Sequence, residues 1–129
     1  MITTISQTID GVELITPSTF QFAQTALMGY PNYCGPSTGF LEEAIPDTKN
    51  GVPFGPACHI HDVEWSLPRR YKSWNHFHAS NSRFLRNLLA LTDHFQEQLT
   101  FADYMETERA ALRYYKAVDL LGGFFYWRG

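Results

Sequence analysis

Phe54-Gly55-Pro56-Ala57-Cys58-His59-Ile60-His61-Asp62-Val63-Glu64-Trp65 is the stretch from which the fold is read. Phe54, Ala57, Cys58, His61 and Trp65 recur at steps of three and four, the spacing of one face of an α-helix. Pro68 ends that run, because its ring blocks the preceding turn. A second run, Phe77, Asn81, Phe84, Leu88, Leu91 and Phe95, keeps one apolar stripe and predicts a helix. A third, Phe101, Tyr104, Met105, Leu112, Tyr115 and Val118, ends at Gly122-Gly123, a helix stop. The expected fold class is mainly α, with two antiparallel helices at its centre.

Outward from these helices the signals weaken. Residues 1–17 mix β-formers with turn residues and read as an irregular or weakly stranded arm, with no convincing pair of long strands. Ser18 is a candidate N-cap for a helix running to about Gly29. Residues 29–56 hold five of the seven prolines and read as loop, and a loop this long in a small domain is usually functional or mobile. The terminal Phe124-Phe125-Tyr126-Trp127 tail is suited equally to capping a core, meeting a partner or touching lipid. No repeat or linker divides the 129 residues, so the whole chain is expected to form one domain.

A chain of this length can bury roughly two-thirds of its unfolded surface, so neither metal nor disulfide is needed for a core. It is too short for a dinucleotide-binding enzyme or an α/β barrel. A formal charge of −3 and a pI near 5.9 argue against nucleic acid as a partner. No apolar run is long enough to span a bilayer. The N-terminus lacks the basic start and apolar block of a signal peptide, so the expectation is a cytoplasmic protein or one released by lysis or a non-classical route.

Chemistry enters where the apolar stripes are interrupted. His61 is the ionisable imidazole of the first stripe, and Asn81 is the polar member of the second. Leaving either buried without a partner costs about 1–3 kcal/mol, so a bond between them across the helix seam is the cheapest solution. Asp62 follows His61, about 100° further round the helix. Upstream, Tyr33-Cys34-Gly35-Pro36-Ser37-Thr38-Gly39 is a tight loop able to present backbone carbonyls. A carboxylate facing such a loop suits a hard cation such as Ca²⁺. His59 and His61 sit two residues apart on a helix and point to nearly opposite sides, which weighs against joint zinc chelation.

Together these residues resemble the phospholipase A2 superfamily. Pro56-Ala57-Cys58-His59-Ile60-His61-Asp62-Val63-Glu64-Trp65 looks like its active-site helix: Cys, two residues, His-Asp, two residues, an aromatic. Tyr33-Cys34-Gly35-Pro36-Ser37 is similar to its calcium loop. Ala79-Ser80-Asn81-Ser82-Arg83-Phe84 sits where bacterial-type members carry Ala-Asp and an apolar residue. The resemblance covers residues 33–95.

It implies a small phospholipase A2-like domain that hydrolyses the sn-2 ester of phospholipids with Ca²⁺ as cofactor, at a phospholipid or membrane surface. His61 would be the general base. Asp62 would ligate calcium together with the carbonyls of Tyr33, Gly35 and Ser37. Cys34 and Cys58 match cysteines that the family joins, and Trp65 holds the aromatic position that supports the hydrogen-bond network. Two positions depart from the pattern. Asn81 replaces the Asp that orients the base, and Ser37 replaces a loop Gly. The alternative reading is a catalytically weak or silent member acting as a binding or structural module.

One further feature is a run without acidic residues from Ser66 to Thr92, which holds Arg69, Arg70, Lys72, Arg83 and Arg86. It reads as a solvated basic face, or as a platform for phosphate headgroups.

Overall fold

A computed structural model of the chain describes residues 3–19 and 48–128. Asp10-Gly11 sets the first element. Asp10 (φ 47°) and Gly11 (φ 84°) both adopt the left-handed region, as a two-residue hairpin turn of mirror-image type requires. Strands β1 (Thr4–Ile9) and β2 (Val12–Pro17) therefore pair antiparallel, from Ile9 opposite Val12 to Thr4 opposite Pro17. The expected irregular arm is a regular hairpin. The dipeptide carries that signal, and the alternation around it is blurred because the inward face mixes Ile9, Val12 and Leu14 with the bonded pair Gln7 and Thr16.

A second Asn-Gly turn, with Asn50 at φ 52° and Gly51 at φ 84°, joins β3 (Thr48–Lys49) to β4 (Val52–Pro53). The end of the stretch read as loop is thus a minimal hairpin, and Val52 is fully buried. The helix expected from Ser18 to Gly29 lies, from residue 20 onward, outside the described residues.

Three helices carry the core. Helix α1 (Gly55–Trp65) starts with Pro56 in its first turn, where a missing N–H costs nothing. Helix α2 (Trp74–His94) starts at Ser73, whose Oγ accepts from the His76 N–H at 3.0 Å. Helix α3 (Phe101–Leu121) starts at Thr100, whose hydroxyl accepts from the Asp103 N–H at 3.1 Å. A six-residue helix, α4 (Gly123–Arg128), follows. Contacts between α1 and α2 run in opposite sequence directions, Trp65 meeting Phe77 and Ser80 while His61 meets Asn81 and Phe84. The two helices are therefore antiparallel, as expected.

Ile9, Leu14, Val52, Phe54, Ile60, Leu88 and Leu91 are among the buried centre of this mainly helical fold. The hairpin docks on α2 through Asn87, whose amide accepts from the Ile15 N–H at 2.8 Å and donates to the Ile15 carbonyl at 3.0 Å. The inward face of α3 differs from the expected one. Thr107, Ala110, Ala111 and Val118 are buried, whereas Phe101 is 79% and Leu112 42% exposed. Small residues let α3 approach α2 closely, so contact distance and not side-chain bulk selects the face. Among the described residues no helix is long and apolar enough to cross a membrane.

Candidate functional site

The seam between α1 and α2 brings the two stripe-breaking residues together. His61 Nε2 lies 2.7 Å from Asn81 Oδ1, with His61 6% and Asn81 0% exposed. Rings enclose the imidazole: Phe84 stacks on it at 4.6 Å between centroids, and Trp65 lies tilted at 4.4 Å. Burial dominates its electrostatics. Desolvation pushes the imidazole down to about 4, against smaller upward pulls from the Asn81 bond and the Glu64 charge. His61 is therefore neutral near pH 7, the form a base must have.

Trp65 supports the site by packing. Its Nε1 donates to Ser80 Oγ at 3.0 Å, and Ser80 in turn donates to the Phe77 carbonyl at 2.8 Å. The indole is thus fixed against the His61 ring without bonding to it. At the far side, Gly122 lets α3 end against the same indole. A Cβ there would sit 2.6 Å from it.

Asn81 has a second partner that the sequence did not suggest. Its Nδ2 donates to Asp119 Oδ1 on α3 at 3.0 Å, and His78 Nδ1 lies 2.7 Å from the same oxygen. Asp93, at the other end of α2, instead accepts from the Tyr104 hydroxyl.

A second buried polar group also escaped the sequence reading. Glu64, on α1, is fully buried and takes Arg83 from α2 through Nε at 3.1 and 3.2 Å and through Nη2. His76 Nε2 lies 3.3 Å from Glu64 Oε1, close enough to pair electrostatically but outside hydrogen-bond geometry. Burial drives the Glu64 carboxyl upward, but His76 and Arg83 together hold it below its ordinary range. Arg83 is therefore committed to the seam and is no part of a basic platform. His76 Nδ1 continues to the Tyr126 hydroxyl at 2.7 Å, and Lys72 Nζ donates to the Tyr126 carbonyl at 2.6 Å.

The aromatic tail accordingly divides. Tyr126 is fully buried and closes the core over the start of α2, whereas Phe124 is 68% exposed. Trp74, Leu120, Leu121, Phe124 and Trp127 line an open groove of about 490 Å³. Arg128 lies over the Phe124 ring at 5.5 Å, and Arg69 over Trp127 at 5.9 Å.

Asp62 is half-buried on α1, next to His61, and engaged in an interaction of its own. Tyr33, Cys34, Gly35 and Ser37 lie outside the described residues. Cys58 is disulfide-bonded. Among the described residues no group of three His, Cys, Asp or Glu side chains could hold a metal. Comparison of the chain with protein-family models, with curated proteins and with solved structures finds no match.

Proposed function

We propose that the protein is a calcium-dependent ester hydrolase of phospholipase A2 type that cleaves the sn-2 ester of phospholipids. The observation that carries this reading is the 2.7 Å contact of His61 Nε2 with Asn81 Oδ1 inside a ring of aromatics. A carbonyl oxygen accepts only, so Nε2 carries the imidazole proton and Nδ1 keeps a lone pair able to take a proton from water. Among the described residues no hydrogen bond occupies Nδ1.

Asp62 follows on the next helical position and is the carboxylate suited to a cation, since Glu64 is consumed by Arg83. Bound there, calcium would polarise the ester carbonyl and stabilise the oxyanion. The backbone carbonyls of Tyr33, Gly35 and Ser37 would complete its ligands. A bridge from Cys58 to Cys34, the only other cysteine in the chain, would tether that loop to the start of α1. The exposed groove of Trp74, Leu120, Leu121 and Phe124, with Arg69 and Arg128 over its rings, suits an anionic lipid surface.

A second reading, a catalytically weak or silent binding module, is favoured by one observation. Burial makes His61 a much weaker base than a free imidazole, and Asn81 offers no negative charge to the imidazolium that catalysis would form. Calorimetric titration with calcium separates the two readings in part. Binding at millimolar calcium that disappears in Asp62→Asn, with calcium-dependent ester turnover disappearing in parallel, supports the hydrolase. Absence of calcium binding by the wild-type protein contradicts it.

A further inference from the structure

The polar chain that begins at His61 continues through Asn81 to α3. We propose that Asp119 is a positioning residue for His61: acting through the Asn81 amide, it holds the imidazole with its proton on Nε2 and its lone pair on Nδ1. This deepens the hydrolase reading and rests on it for its catalytic consequence alone. The tautomer follows from the geometry.

Donor and acceptor capacity fixes each orientation along this chain. A carboxylate has no proton to give, and Asp119 Oδ1 lies 3.0 Å from one end of the Asn81 amide. That end must therefore be the NH₂. Turned the other way, the amide would set two acceptors against each other and lose a charge-assisted bond. With the NH₂ on Asp119, the carbonyl faces His61 Nε2 at 2.7 Å. A carbonyl accepts only, so Nε2 is the donor, and a neutral imidazole with its proton there has its lone pair on Nδ1. Without Asp119 the amide, nearly symmetric in shape, could present either end to His61, and the ring could hold its proton on either nitrogen.

His78 anchors the carboxylate from outside. Its Nδ1 lies 2.7 Å from the same Asp119 oxygen, with the His78 side chain 58% and the Asp119 side chain 23% exposed. The relay thus runs from a fully enclosed amide to a partly hydrated carboxylate. Asn81 is fully buried, and a charge at position 81 would bear the desolvation penalty of that seam. Moving the negative charge one hydrogen bond outward keeps the orienting task and removes most of that penalty. One consequence is that Asn81→Asp alone would set two carboxylates about 3 Å apart and force them to share a proton. The carboxylate can be returned to position 81 only if Asp119 is neutralised at the same time.

The experiment reads the His61 tautomer by long-range ¹H–¹⁵N correlation on histidine-labelled protein at neutral pH, without calcium. The proteins compared are wild type, Asp119→Ala, Asp119→Asn and the double variant Asn81→Asp/Asp119→Asn. Wild type should show the proton on Nε2. Asp119→Ala should populate the proton on Nδ1 as well. Asp119→Asn can present either end of its own amide and should populate both tautomers as Asp119→Ala does, whereas the double variant, with a carboxylate facing Nε2, should restore Nε2–H. If Asp119→Ala does not fold, Asp119→Leu is the substitute. Turnover of a monomeric short-chain ester should fall about tenfold or more in kcat in Asp119→Ala, with KM changed by less than about twofold. A wild-type ring protonated on Nδ1, or a tautomer unmoved by loss of the carboxylate, overturns the proposal. A tautomer that shifts as described in proteins that hydrolyse no ester supports the positioning role and rejects the hydrolase reading.

Discussion

The Trp65 indole occupies the space that a Cβ on Gly122 would need, 2.6 Å from its ring, and the Val118 carbonyl would lie 2.5 Å from the same Cβ. The end of α3 is thereby keyed against the indole that packs on the His61 ring. Gly122→Ala should lower stability by about 1–3 kcal/mol through overpacking. It should also displace the indole, visible as a changed tryptophan near-ultraviolet circular dichroism signal. An unchanged unfolding midpoint and signal would show that the helix end can shift freely.

His61 gives stability a defined pH dependence. Its folded value is driven to about 4 by burial, while the unfolded chain keeps the ordinary 6.5. Between those values the unfolded state binds the proton and the folded state does not, so stability falls as pH drops through this window. From pH 7.5 to pH 5 in calcium-free buffer the loss should be on the order of 2 kcal/mol. Glu64, held below its ordinary value, should add its own loss only at lower pH, as the solution falls through its folded value. Urea unfolding of wild type and His61→Gln at the two pH values checks this, the variant being expected to lose most of the difference.

The Glu64–Arg83 pair should behave as a buried ion pair. Glu64→Leu leaves a guanidinium in the seam and should cost about 3 kcal/mol. The double variant Glu64→Leu/Arg83→Leu should recover much of that loss. A double variant at least as unstable as the sum of Glu64→Leu and Arg83→Leu would mean that the two side chains do not interact favourably.

The part of this site that the sequence made legible is the part written in helical spacing. His61 and Asn81 stand out because each breaks an apolar stripe, and a buried imidazole and a buried amide must find partners. Asp119 carries no such mark: near the end of α3 it looks like any solvated carboxylate, and only the approach of α3 to α2 makes it a partner. Glu64 looked equally ordinary, since its burial depends on Arg83 arriving from another helix. On α3 the bulky residues Phe101 and Leu112 misled the choice of buried face, because Ala110 and Ala111 give little signal on a hydropathy pattern. The hairpin turn at Asp10-Gly11 was readable from the dipeptide itself, and was obscured by the polar Gln7–Thr16 pair on its inner face.

The open groove should govern adsorption to lipid. Leu121→Ser and Phe124→Ser together remove apolar area from residues 62% and 68% exposed. They should weaken binding to vesicles rich in anionic lipid about tenfold or more, measured by co-sedimentation. Turnover of a monomeric short-chain ester should be unaffected. Equal sedimentation of variant and wild type would remove the groove from the lipid-facing surface.

The central claim is that His61 is the base of a calcium-dependent ester hydrolase. Its most direct test is release of the sn-2 fatty acid from a diacyl phospholipid carrying a distinguishable acyl chain at each position. The wild-type protein should release the sn-2 chain with calcium and not with chelator, and His61→Ala should abolish the release while retaining the fold. Wild-type protein that releases no fatty acid from several headgroup classes with calcium bound, or a His61→Ala variant as active as wild type, would contradict the claim.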